Sequence, residues 1–89
     1  MAAIKTQGTA QSAAMAAAEK HGWTVSCDVV VHEFRRRRGR RVECIAVTFD
    51  VYGRIVSASW SPTLNGTGGR RSPDRNKRQW LLDRLTAPS

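Results

Sequence analysis

The chain has 89 residues, 15 Lys and Arg against 7 Asp and Glu, a net charge of +8 and a pI near 11.1. That length allows one small domain with a modest core, a tight fit for an enzyme with a deep pocket. No apolar run reaches membrane-spanning length, and the N-terminus lacks a basic start followed by an apolar signal core.

Cys27 and Cys44 are neither closely spaced nor grouped with the two histidines, which argues against a zinc site. The expectation is a cytoplasmic protein with reduced thiols, no metal, no cofactor and no catalytic residues. Twelve Arg against three Lys suit a GC-rich bacterial or phage genome.

In chain order, residues 1–8 read as a loose N-terminus, 9–85 as a single α+β domain and 86–89 as a tail. The Ala-rich stretch from Thr9 to His21 predicts a helix, with Thr9 as its cap and Gly22 as its stop. Ala10, Ala13, Ala14, Ala17 and Ala18 would give it a smooth face able to lie close to a sheet.

Trp23 to Phe34, Val42 to Tyr52 and Arg54 to Trp60 are β-branched and alternate in polarity, so they predict three strands. With the arginine run as a loop centred near Arg38, antiparallel pairing sets Val25 against Val51, Cys27 against Phe49, Val29 against Val47 and Val31 against Ile45. A tight turn at Tyr52-Gly53 then adds Val56, Ala58 and Trp60 to that apolar face. The other face would carry Thr24, Ser26, Asp28, His32, Thr48, Asp50, Ser57 and Ser59, together with Val30, Phe34, Val42 and Ile55. His32 falls opposite Cys44, with no third group to orient the pair for catalysis.

The stretch from Ser61 to Arg71, rich in glycine, predicts a long loop. Asn65, Gly66, Gly68 and Gly69 match no phosphate-binding fingerprint. Ser72-Pro73-Asp74 predicts the start of a closing helix that runs to about Leu85. Leu81, Leu82 and Leu85 would face inward, Arg75, Lys77, Arg78 and Arg84 outward, and Trp80 would anchor the edge. The fold class is a two-layer α-β-β-β-α domain, a three-stranded antiparallel sheet with both helices on one face.

Charge is concentrated in two places. Arg35, Arg36, Arg37, Arg38, Arg40 and Arg41 contribute +6 within seven residues, and the stretch from Arg70 to Arg84 contributes +4. Arginine keeps its charge at any workable pH and presents a planar fork matched to phosphate, so clustered arginines point to nucleic acid. The candidate contacts are the six arginines of the first cluster with Arg70, Arg71, Arg75, Lys77 and Arg78. The alternative partner is an acidic protein, with Val30, Phe34, Val42 and Ile55 as an apolar patch that also leaves a homodimer open.

From Thr9 to Leu85, the element order, the basic loop between the first two strands and the basic start of the last helix resemble the double-stranded-RNA-binding domain. The resemblance implies that Arg35 to Arg41 enter a minor groove while Arg75, Lys77 and Arg78 span the phosphates of the neighbouring major groove. The family's Gly-Pro-x-His loop is absent, and Arg75-Asn76-Lys77-Arg78 stands where its lysine-rich helix start would be. Three-stranded sheets also enter the DNA major groove, so the expected ligand is a nucleic-acid duplex, RNA or DNA.

Overall fold

The computed structural model describes residues 9–28, 30–63 and 69–88. Among them, helix α1 (Ala10–Lys20) is followed by strands β1 (Thr24–Asp28), β2 (Val31–Arg38), β3 (Arg41–Phe49), β4 (Ile55–Ser61) and β5 (Arg70–Arg71), then helix α2 (Lys77–Thr86). The strands form one antiparallel meander in the order β1-β2-β3-β4-β5. The domain is thus α+β with an antiparallel sheet, but the expected three strands are five.

The N-terminal helix follows its sequence signals. The Thr9 hydroxyl accepts from the Ser12 N–H at 3.1 Å, and Gly22 leaves the helix with φ +80. Ala14 and Ala18 are fully buried, and their small side chains let the helix axis approach the sheet closely.

The first correction concerns the stretch from Trp23 to Phe34. It is two strands, not one, because Asp28 pairs with Val31 across a tight turn. Val29, expected opposite Val47, lies outside the described residues. The second correction concerns the arginine run. Arg35 to Arg38 belong to β2, Arg41 opens β3, and only Gly39 and Arg40 turn. Gly39 has φ +65 whereas Arg40 does not enter the positive-φ region, the signature of a two-residue type II′ hairpin.

Replacing a broad loop by a two-residue turn moves the β2–β3 register by an odd number of residues, which exchanges the faces of β2. Phe34 therefore pairs with Ile45 and is fully buried, while Val31 is outward and exposed. Burying that phenyl ring contributes about 2 kcal/mol. The expected core positions Cys27, Val51 and Val56 are likewise exposed. The β3–β4 pairing agrees with the sequence reading over Ile45, which meets Trp60, and Val47, which meets Ala58, and Gly53 turns with φ +79. A register shift between Thr48 and Phe49 then pairs Phe49 with Ile55, so Ile55 packs on the core and Val56 faces out.

Ala14, Ala18, Leu81 and Leu85 from the helices join Phe34, Ile45, Val47, Phe49 and Ala58 in one buried cluster. Those sheet residues share a face, so both helices cover the same side of the sheet. Helix α2 begins at Lys77 and not at the Ser72-Pro73 signal. The Ser72 N–H still donates to the Ala58 carbonyl at 2.8 Å, so the chain must leave the sheet edge before it can coil. Asn76, with φ 59, makes that reversal, and Leu82 is only half-buried.

Candidate nucleic-acid interface

Alternation along β2 divides the arginine run between the two sides of the sheet. The register places Arg35 and Arg37 on the uncovered face with Cys44, Val42 and Ser61, and Arg36 and Arg38 on the helix-covered side with Glu43 and Arg41. Arg35, Arg37, Arg38, Arg40 and Arg41 are exposed. Arg36 is not; it is 6% exposed, and Glu43 opposite it is 2% exposed.

Arg36 donates from Nε at 3.1 Å and from Nη2 at 2.8 Å to Glu43 Oε1, and its guanidinium lies 4.4 Å from the centre of the Trp23 ring. The second oxygen of Glu43 accepts from Trp60 Nε1 at 2.9 Å and faces Arg38 Nη1 at 3.6 Å. Trp23 Nε1 donates to the Leu85 carbonyl, which satisfies one of the orphan acceptors at the end of α2. A buried guanidinium is tolerable only with such a partner set. Its expected role as a nucleic-acid contact gives way to a structural one, because the pairing with Glu43 and Trp23 removes it from the surface.

A second guanidinium extends this series. Arg84 on α2 lies 4.5 Å from the Trp60 ring and 5.1 Å from the Trp80 ring. Trp23, Arg36, Glu43, Trp60, Arg84 and Trp80 thus follow one another from the β1 entry to α2. Trp80 is half-buried against the core, in keeping with an anchoring role. Arg84, assigned to solvent from sequence, is half-buried in the space between the hairpin base and α2.

Of the second basic cluster, Arg84 meets Arg38 of the first, but the start of α2 does not converge with the hairpin. The C-terminal half of α2 lines a cavity with Arg38 and Trp60, whereas Lys77 and Arg78 at its start line another with Tyr52 and Ile55, beyond the far end of β3. From Arg41 to Phe49 the strand runs roughly 26 Å at about 3.3 Å per residue. Arg70 and Arg71 sit on the β5 edge opposite Trp60 and Ser59, and Arg75 is exposed before α2.

Among the described residues, no ion pair involves Arg37, Arg40, Arg41, Arg70, Arg71, Arg75, Lys77 or Arg78. Arg35 is engaged by Glu33, which raises its already high pKa through a hydrogen bond and charge attraction. The uncovered sheet face around Arg35, Arg37 and Arg71 carries the small side chains of Cys44, Ala46, Thr48, Ser57, Ser59 and Ser61, with Val31, Glu33 and Val42 beside them.

The other sequence candidates are resolved as follows. His32 faces Cys27, with Nδ1 3.8 Å from Sγ, and not Cys44, because β2 presents its even positions to the helices. Gln11 approaches the other ring nitrogen at 3.3 Å, and the Phe49 ring meets the imidazole edge-on. Cys27 and Cys44 lie on opposite faces and form no disulfide. Burial pushes the Cys44 thiol pKa up, with Glu33 adding to it and Arg35 opposing.

The expected apolar patch does not form, since Phe34 is in the core and Val42 and Ile55 are half-buried. Among the described residues, the exposed large apolar side chains are instead Val30, Val31, Val51, Tyr52, Val56 and Met15. Asn65, Gly66 and Gly68 lie outside the described residues. Among those described, no group of three His, Cys, Asp or Glu could hold a metal ion, and no helix is long and apolar enough to cross a membrane.

A comparison of the chain with protein-family models, curated proteins and solved structures gives no match.

Proposed function

We propose that this protein binds nucleic acid, with a duplex of RNA or DNA favoured, through the arginine hairpin and the flanking basic positions of β5 and α2. The observation that carries the reading is the hairpin end. Arg37, Arg40 and Arg41 are exposed with no acidic partner among the described residues, and Arg38 has only a 3.6 Å approach to an already engaged carboxylate. Arginines carried on paired strands beside a two-residue turn keep their forks available to phosphate at little backbone entropic cost. The distance between the hairpin and Lys77-Arg78 suits phosphates on separate turns of a duplex better than two sides of one groove. Resemblance to the double-stranded-RNA-binding domain adds little to this, since its three-strand order is not the one observed.

Fluorescence anisotropy with matched duplex RNA, duplex DNA and single strands, at two salt concentrations, tests the proposal. Neutralising about four phosphates gives a log-log slope near −3.6, so affinity should fall on the order of a hundredfold between roughly 50 and 200 mM salt. The Arg37→Ala, Arg40→Ala, Arg41→Ala triple variant should bind more weakly with a shallower slope and unchanged thermal stability. No binding by the wild type at low salt would refute the reading. A second reading, contact with an acidic protein, has Val51 at 93% and Tyr52 at 69% exposure in its favour. Recovery of one acidic protein after nuclease treatment would select it.

A further inference from the structure

The cavity between the hairpin base and α2 holds about 330 Å³ and is lined by Arg38, Glu43, Trp60, Trp80, Asp83 and Arg84. We propose that it is a phosphate-binding recess in which Arg84 is the principal ligand and Arg38 the second, an assignment that rests on the nucleic-acid reading above.

Four observations converge on it. The Arg84 guanidinium lies over two tryptophan rings, 4.5 Å from the centre of Trp60 and 5.1 Å from that of Trp80, so cation–π attraction holds it in the recess before any ligand arrives. Among the described residues, no hydrogen bond or ion pair takes up its N–H groups. Of the carboxylates that line the recess, Glu43 is charge-paired with Arg36 and accepts from Trp60, while Asp83 accepts from Gln79 Nε2 at 2.7 Å and keeps its negative charge at the rim, so the two arginines must outweigh it. Arg38 lines the same space half-exposed and only loosely tied to Glu43. Two guanidinium groups with open donors on an aromatic-walled recess match a phosphate oxyanion, which a planar fork binds with two parallel hydrogen bonds. The group could belong to the backbone of a bound strand or to a strand terminus.

The test is duplex binding by wild type, Arg84→Gln and Arg84→Lys over a salt series, with thermal melts of each. Arg84→Gln should bind on the order of tenfold more weakly, with a slope shallower by about one. Arg84→Lys should also lose affinity but retain the slope, since the charge stays and the fork does not. Inorganic phosphate, titrated against chloride at matched ionic strength, should change the tryptophan emission of the wild type and not of Arg84→Gln. A preference for 5′-phosphorylated over 5′-hydroxyl duplex, lost in Arg84→Gln, assigns the recess to a strand terminus; equal affinity assigns it to the backbone.

If the wild type binds duplex but Arg84→Gln matches it in affinity and slope, the recess is not a phosphate site, and the function proposed above stands. A lower melting temperature for Arg84→Gln with unchanged slope and no phosphate response reduces Arg84 to a packing role. If the wild type binds no duplex, that function falls, and an absent response to phosphate overturns the recess as well.

Discussion

Replacing Arg36 by alanine separates the two roles that the arginine run combines. The substitution removes a guanidinium that is 6% exposed and leaves Glu43, 2% exposed, without its two hydrogen bonds from Arg36 and with only Trp60 and a distant Arg38. Breaking a buried pair from one side costs about 3–5 kcal/mol, because an uncompensated charge stays inside. Unfolding free energies of small domains begin near 5 kcal/mol. Each kcal/mol moves the melting temperature of a domain this size by about 4–8 °C, so Arg36→Ala should melt roughly 12–40 °C below the wild type. Arg37→Ala, one residue on but exposed, should change stability by less than about 0.5 kcal/mol. The assay is thermal and urea unfolding followed by circular dichroism. The Arg36→Met, Glu43→Leu double variant should recover most of the loss, since an apolar pair of similar volume leaves no charge to solvate. Melting temperatures for Arg36→Ala and Arg37→Ala within a few degrees of each other would refute the buried pair.

Glycine substitutions should rank by their surroundings. Gly53 has φ +79, and an added Cβ would lie 2.7 Å from the Thr9 side chain, whereas Gly39 at φ +65 opens to empty space. Gly53→Ala should lower the melting temperature well beyond Gly39→Ala, whose cost is the positive-φ backbone alone, a cost that Gly53→Ala shares; the reverse order would contradict the packing of Thr9 on the β3–β4 turn. Asp50 Oδ1 accepts from the Arg54 and Tyr52 N–H groups and its Oδ2 from Arg54 Nε, and the Arg54 N–H above all holds the carboxyl below its usual pKa. A depressed carboxyl stabilises fully above its unfolded pKa and ceases to do so as pH falls through the folded one. Wild type should therefore lose stability in acid, below about pH 4, more steeply than Asp50→Asn; parallel pH curves would count against the turn cap. With iodoacetamide near neutral pH, mass spectrometry should find Cys27, exposed, alkylated before Cys44, half-buried with its thiol pKa raised. Earlier labelling of Cys44 would contradict its burial and the raised pKa that follows from it.

Local signals carried much of the architecture. The Thr9 cap and Gly22 stop bound an alanine-rich helix, Gly53 turned β3 into β4, and the alternation of Ile45, Val47 and Phe49 identified the buried face of β3. Each depends on the conformational preferences of residues close together in the chain. The concentration of arginine was equally plain, because charge is a property of composition. Register across the first two hairpins was not legible. A run of four arginines gives no hint that alternate members face opposite sides, or that the second finds a carboxylate seven residues on and a tryptophan thirteen residues back.

Composition and local pattern therefore determined that the domain is basic, small and α+β, whereas tertiary structure alone decided which arginines stay exposed and which are part of the core. Burial of a charge depends on desolvation balanced by partners brought from distant strands, and that balance exists only once the sheet is paired. The same holds for Arg84, an ordinary helix cation in sequence, which meets two aromatic faces only when α2 brings it and Trp80 to the Trp60 of β4.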